Sequence, residues 1–500
     1  MAISLPKRGM AHAELLDTMQ GMASRDVAWK EHRAFGLVYD HSEAHSEFVR
    51  QAHNLFMATN GLNPMAFQSL QRMEHEVVRI TADLLHGDST VVGTMTSGGT
   101  ESLLLAVLTY RQHARTHRPW VRRPEIVLPE SAHAAFFKAG EYFDVKMVST
   151  PLQKDFRADV DAMARRINRN TIALVGSAAC YPYGVIDPID EIAALGLKHG
   201  LPVHVDGCIG GFILPFIEKL GAEHQIAPIA PFDFRVPGIT SMSADVHKYG
   251  YAAKGASVIV YRGMEYLQHQ FSAATDWCGG VYASPTLAGT RPGGAIAAAW
   301  GALHALGEEG YLDNAKAVMA TTKRFHDAIN DIPELEVLGS PAMSIIAYGS
   351  RIPDFSVYAV GDQLEERKWH IDRLQRPESL HMILNPGHAH VVDEYLGDLR
   401  EAVQYVKDHP DAAFEGSAPL YGLIAKAPMR RMVKRQVLAI VEKMYSAEGG
   451  TPNVSVPDAN ADGFETDIAI DITPALASVS PLILKVLRLK ARLARYLHRR

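Results

Sequence analysis

Cysteine is scarce in this 500-residue chain: Cys180, Cys208 and Cys278 are the only three, and no CxxC pairing occurs. That excludes a disulfide framework and a zinc site of paired thiolates, and a reducing compartment fits. No apolar run approaches the roughly 18 residues of a membrane span, and the first twenty residues lack the apolar core of a signal peptide. Excess positive charge is also missing. A formal net charge of −6 gives no reason to expect nucleic acid. Short internal repeats and low-complexity tracts are absent. What is present, 47% hydrophobic and 21% charged residues, describes a soluble, cytoplasmic globular protein with a large core. At roughly 150 residues per domain the length predicts two or three domains.

Along the chain, residues 1–60 read as a polar helical segment with Tyr39 in a turn, followed by the tight loop Asn60-Gly-Leu-Asn-Pro64. Leu70, Met73, Val77, Ile80 and Leu84 recur at helical spacing and predict a core-facing helix. Short apolar runs at 125–128, 171–175, 201–206 and 257–261 alternate with helical stretches, one of them opening at 131–138. This alternation predicts a large, mostly parallel α/β domain over 61–330. Strands at 335–338, 344–347, 357–360 and 380–384 and a helix at 362–370 predict a smaller α+β domain over 331–445. Residues 446–480 have linker composition.

Two stretches carry chemistry. In Thr96-Ser-Gly-Gly-Thr-Glu-Ser102, small polar residues lead into an apolar helix. Gly98 and Gly99 let backbone N–H groups approach an anion and Thr100 adds a hydroxyl, although a plain N-cap would use the same residues. The second is Ser241-Met-Ser-Ala-Asp-Val-His-Lys248, which reaches the strand Ser257-Val-Ile-Val-Tyr261 through a turn containing Gly250 and Gly255. A lysine between loop and strand is a candidate for a Schiff base if burial or a neighbouring cation, such as Lys254, lowers its pKa. Asp206 ends an apolar run and is followed by Gly207. In a parallel sheet both Asp206 and Lys248 would lie at the carboxyl ends of strands, where ligands bind.

The segment Ser-Ala-Asp-Val-His-Lys-Tyr-Gly-Tyr (243–251), followed by Lys254-Gly-Ala-Ser257, resembles the cofactor-lysine segment of pyridoxal-phosphate (PLP) enzymes, most closely that of the sphingosine-1-phosphate lyases. The resemblance spans about 35–320 strongly and continues weakly to about 430. It implies the aspartate-aminotransferase-like architecture known as fold type I, with PLP on Lys248, Asp206 paired to the pyridine nitrogen and His133 (in Ser-Ala-His-Ala-Ala-Phe) stacked on the ring. Gly98, Gly99, Thr100 and His247 would hold the cofactor phosphate. So would Gly289 and Thr290, in the Gly-Thr-Arg-Pro-Gly-Gly part of a long loop that reaches over a partner subunit of a homodimer with shared sites. Cys208 reads as a packing residue. Tyr39, Asn63 and Tyr282 are the substrate-side residues. Human-like members carry His where this chain has Asn63, and an amide donates a hydrogen bond without a charge.

The implied reaction is retro-aldol cleavage of a phosphorylated long-chain amino alcohol to a long-chain aldehyde and phosphoethanolamine. Lys254, Tyr181 and a substrate phosphate oxygen are all candidate bases for the hydroxyl proton. An amino-acid decarboxylase is the alternative, and a degenerate binding module is disfavoured because Lys248, Asp206 and His133 are all present. The eukaryotic lyases carry an N-terminal membrane anchor; its absence here implies a soluble, bacterial-type member. The last twenty residues are distinct. Leu482, Val486, Leu489, Leu493 and Leu497 fall on one helical face, opposite seven lysines and arginines with no acid between. That pattern predicts peripheral contact with an anionic membrane surface.

Overall fold

The computed structural model describes residues 5–24, 26–224, 226–414 and 430–446. Seven strands form the large sheet: β1 (Val92–Thr96), β2 (Glu125–Pro129), β3 (Lys146–Thr150), β4 (Thr171–Ser177), β5 (Val203–Asp206), β6 (Ile239–Ala244) and β7 (Ser257–Tyr261). Their order is β1-β7-β6-β5-β4-β2-β3, and only β7 runs against its neighbours. All five residues of β7 are buried, which is why this strand reads as an unbroken β-branched run and not as an alternating one. Each valine or isoleucine so buried contributes about 1.5–3 kcal/mol of apolar transfer. The predicted stripe at 70–84 forms the helix Gln68–Leu84, with Leu70 and Val77 buried and Met73, Ile80 and Leu84 packed against the same core.

A two-stranded ribbon, β8 (Ser272–Ala274) with β9 (Tyr282–Ser284), precedes the 38-residue helix Gly293–Asn330. That helix breaks at Gly307, whose φ of 59° is left-handed backbone that a side chain would strain. Its first half packs on the large sheet's core, while Phe325 and Ile329 in its second half enter another core. This second core lies on an antiparallel sheet of order β10-β11-β13-β12, from β10 (Leu335–Val337), β11 (Ile345–Ser350), β12 (Asp372–Gln375) and β13 (Glu378–Ile383).

Two expectations for this region are corrected. Residues 357–360 are not a strand: they open the helix Val357–Glu366, capped by Ser356, whose side chain accepts from the Ala359 N–H at 3.2 Å. That first turn is buried throughout, and an unbroken apolar run of four cannot distinguish a buried helix from a strand. The helix expected to reach 370 stops at Glu366. Lys368 is left-handed (φ 69°), and His370 leaves to bridge Ala34.

The bridge exposes a second surprise. The N-terminal segment does not stand apart, because Phe35 is completely buried in the small sheet's core. Its ring stacks on His388 and Trp369, with centroids at 4.8 and 5.8 Å, and meets Tyr395 edge-on at 4.8 Å. Asn385 then donates to the Val38 carbonyl at 2.7 Å, so the chain leaves this core aimed at the large sheet with Tyr39 next. By contrast, the helix His12–Ala23 buries none of its own residues.

Candidate active site

Parallel strands β4, β5 and β6 end side by side, and the candidate residues gather beyond their carboxyl ends. Asp206 is the last residue of β5 and is buried; its Oδ1 accepts from the Cys208 N–H at 3.0 Å and from the Ser243 hydroxyl at 3.4 Å. Lys248 lies four residues past β6. Its Nζ is 2.9 Å from Oδ2 of Asp245, a carboxylate only 1% exposed. The helix Gly99–His117 starts against the same acid, and no side chain caps it. A Cβ on Gly99 would lie 2.7 and 2.9 Å from the two Asp245 oxygens, and one on Gly98 would lie 3.4 Å from His247 Cε1. At position 99 glycine is required by close approach. Thr100 is exposed in the first turn.

The charges are arranged differently from the sequence expectation. Burial opposes the charge on Lys248, but the surrounding groups, Asp245 foremost and Asp206 with it, together hold the amine above its usual range. The lysine whose pKa falls is Lys254. Its side chain is open to solvent at the mouth of the site, yet burial by the surrounding protein and the Lys248 charge pull it from 10.5 down to about 8. Lys254 Nζ lies 5.1 Å from the centre of the Tyr39 ring and donates to the Leu37 carbonyl at 2.9 Å. His247 is driven down to about 4 by burial, so it is neutral; its Nδ1 accepts from the Ala256 N–H at 3.3 Å, which leaves Nε2 as the donor.

Tyr181 follows β4 and donates from its hydroxyl to Asp372 Oδ2 on β12 at 3.1 Å. Burial and that carboxylate push the phenol up, so Tyr181 stays protonated. His133 sits in the turn before the helix Ala135–Phe143, its ring 6.2 Å from that of Tyr181. Cys208 is buried, its thiol raised well above the ordinary value by burial and the flanking acids, and it donates to Ser243 Oγ at 3.2 Å. A thiol so protonated is a packing group.

The remaining predicted residues form a second cluster. Asn63, exposed in its loop, accepts at Oδ1 from the Met65 and Ala66 N–H groups at 3.0 and 3.3 Å. Asn60 bridges Pro292, and Arg291 donates to the Gly61 carbonyl at 3.0 Å and pairs with Glu74. The Tyr282 hydroxyl packs directly on Gly289, next to the exposed Thr290. Among the described residues, no hydrogen bond, ion pair or ring contact joins Asn63, Tyr282, Gly289 or Thr290 to Lys248, Asp206 or His133.

Sequence reasoning missed Asp245, although it lies inside the motif that singled out Lys248. The available signal was its position three residues before the lysine, in a segment otherwise of small residues.

The chain was compared with known proteins. The pattern of the pyridoxal-dependent decarboxylase conserved domain matches residues 29–351. A sphingosine-1-phosphate lyase of Arabidopsis thaliana is 45% identical over 449 residues, which is 88% of this chain and 81% of that protein. The chain belongs to the sphingosine-1-phosphate lyases. The solved structure of a lyase from Burkholderia pseudomallei is 40% identical and superimposes with a TM-score of 0.78 over 86% of this chain and 98% of that one. A glutamate decarboxylase of Lactobacillus brevis, at 18% identity and a TM-score of 0.70 over 80% of this chain and 94% of that one, shares the fold alone.

Lyases of this family use PLP, and the residues present fit that group. An uncapped helix start with two glycines suits a phosphate, a buried acid at a strand end suits a protonated ring nitrogen, and a lysine amine lies against Asp245, the acid that the helix start also meets.

Proposed function

We propose that this protein cleaves sphingosine 1-phosphate, or a related phosphorylated long-chain base, to a long-chain aldehyde and phosphoethanolamine. PLP, when bound, supplies an electron sink for the pair released as a bond to the amine-bearing carbon breaks. In this reading Lys248 carries the cofactor, Asp206 faces its ring nitrogen, His133 lies on its ring face, and Gly98, Gly99, Thr100 and the neutral His247 hold its phosphate. Lys254 takes the C3 hydroxyl proton as the C2–C3 bond breaks and the aldehyde carbonyl forms at C3. C2 takes up a proton to give phosphoethanolamine.

The observation that carries the reading is the 45% identity to a sphingosine-1-phosphate lyase over 88% of this chain, and a depressed Lys254 beside the Tyr39 ring fits it. Retro-aldol cleavage has a hydroxyl proton to remove, whereas decarboxylation releases CO2 and needs no base there. Of the three candidate bases, Tyr181 is disfavoured by its raised pKa and its commitment to Asp372. The deciding assay offers sphingosine 1-phosphate, glutamate, aspartate and tyrosine in parallel. Aldehyde from the first and no CO2 from the others is expected; CO2 release without aldehyde would replace this reading with the decarboxylase.

The second cluster is assigned to the neighbouring copy's site in a homodimer: Asn63 and Tyr282 toward substrate, Gly289 and Thr290 toward the cofactor phosphate. Support comes from the apolar surface around it, with Leu55, Met57, Met65 and Val281 each at least 70% exposed. Tyr39 serves the substrate side of its own chain, and we divide the described chain near residue 330 into a cofactor-binding and a small domain. The membrane-surface role of 481–500 falls outside the described residues and stands on the sequence alone. No helix among the described residues is long and apolar enough to cross a membrane.

A further inference from the structure

Two lysines of one short stretch serve the same site, and a mechanism that uses both must keep them in different protonation states. We propose that Asp245 is a positioning residue that holds the Lys248 amine as an ammonium whenever it is free of cofactor, and that this fixed charge, added to burial, enlarges the neutral, proton-accepting share of Lys254. The inference rests on the reading of Lys248 as the cofactor lysine given above.

The geometry is specific. Asp245 Oδ2 lies 2.9 Å from Lys248 Nζ and 3.7 Å from His247 Nε2, and the Ser257 hydroxyl also favours the ionised carboxylate. An ionised carboxylate this buried is costly unless a full positive charge faces it, and Lys248 supplies one. The other groups facing this amine come from every surrounding segment. Asp206 and Cys208 lie at the end of β5, Tyr181 beyond β4, His247 alongside, and Lys254 before β7. Cys208 and Tyr181 are held protonated by burial and His247 is held neutral, so none competes for the role. Asp206 is already engaged by the Cys208 N–H and the Ser243 hydroxyl. Asp245 is therefore the counter-ion.

The glycine cradle belongs to the same device, because any side chain at Gly99 would collide with both Asp245 oxygens. Protons would balance without an outside source: a substrate amine arriving as an ammonium would pass its surplus hydrogens to the Lys248 nitrogen it replaces, which would then face Asp245 as an ammonium. Lys254 then faces a fixed positive charge, which opposes a second one beside it.

Selective chemical labelling tests this on the full-length, cofactor-loaded enzyme. Methoxyamine captures the cofactor carbonyl and frees Lys248. Trace acetic anhydride then acetylates neutral amines across pH 6–11, and mass spectrometry of the two lysine peptides gives each midpoint. In the unaltered protein, Lys254 should label with a midpoint near 8 and Lys248 only above its ordinary 10.5. In Asp245→Asn the Lys248 midpoint should fall by about 2 units or more, as for a buried lysine without a partner. In Lys248→Met the Lys254 midpoint should rise, while remaining below 10.5 because burial persists. An unmoved Lys248 in Asp245→Asn overturns the counter-ion role, and an unmoved Lys254 in Lys248→Met overturns the coupling. Asp245→Ser is the second variant if the asparagine form does not fold. Labelling does not depend on which substrate is cleaved, and absence of a methoxyamine-sensitive absorbance would mark failure of the cofactor reading instead.

Discussion

Replacing Lys254 with arginine tests the proton-accepting assignment directly. With a pKa of about 8, roughly one Lys254 in ten is neutral at pH 7. An unperturbed lysine would be neutral only about once in three thousand, so the local environment raises the available base about 300-fold. Arginine keeps the stem and the contact with Tyr39 but never becomes neutral at working pH. Turnover should fall about 10²–10⁴-fold, the usual range for a lost general base, with the cofactor's visible absorption unchanged. The pH profile gives an independent check of sign. The working form is deprotonated and the pKa is depressed, so turnover should climb with pH from 6 and level off above about 8. Single-turnover rates with saturating substrate would separate chemistry from product release. A flat profile over this window, or Lys254→Arg retaining more than about a tenth of wild-type turnover, would refute the assignment.

Four further outcomes are expected. Lys248→Ala should lose the visible absorption of the bound cofactor and all cleavage; a borohydride-reducible bond in that variant would move the cofactor lysine elsewhere. Mixing Lys248→Ala with Tyr282→Leu under proven subunit exchange should restore about a quarter of wild-type activity through hybrid dimers with one intact site, and no rescue would count against shared sites. Tyr282 is the better choice there than Arg291, whose removal would strand the half-buried Glu74 and confound the result with instability. Phe35→Ala should destabilise the protein by about 3–5 kcal/mol, read as a shift in denaturant midpoint, because a completely buried ring with four aromatic neighbours is removed. A chain ending before Pro481 should sediment less with anionic vesicles than the full chain, and equal sedimentation would dismiss the tail as an anchor.

What could be read from the sequence followed from periodicity and motif. Strand β7 and the helix Gln68–Leu84 were legible because their patterns are one-dimensional consequences of burial. That Lys248, Asp206, His133 and the glycine pair fall next to strand ends or a helix start was legible, because the motifs that hold them straddle the switch from apolar run to small polar residues. The direction of the two lysine shifts was not. It depends on which amine Asp245 reaches, a matter of angstroms that spacing does not encode. Residues 357–360 misled because complete burial erases the difference between the two periods, and only the Ser356 cap marked a helix. Phe35 was invisible as a core residue because its partners lie more than 280 positions away.

That last separation has a kinetic consequence. Tyr39 reaches Lys254 only because the preceding residues are anchored in the small sheet: His370 bridges Ala34, His388 contacts the Ala34 carbonyl at 3.1 Å, and Arg33 pairs with Glu394 across 361 positions. On a ribosome adding about 5–20 residues per second, those anchors emerge roughly 20–70 s after the segment they must hold. Such distant contacts also form late in folding, since a long loop must close before they can reward it. The N-terminal wall of the site should therefore stay open until synthesis has passed Glu394. A nascent or truncated chain could fold its large sheet without acquiring a closed, competent site.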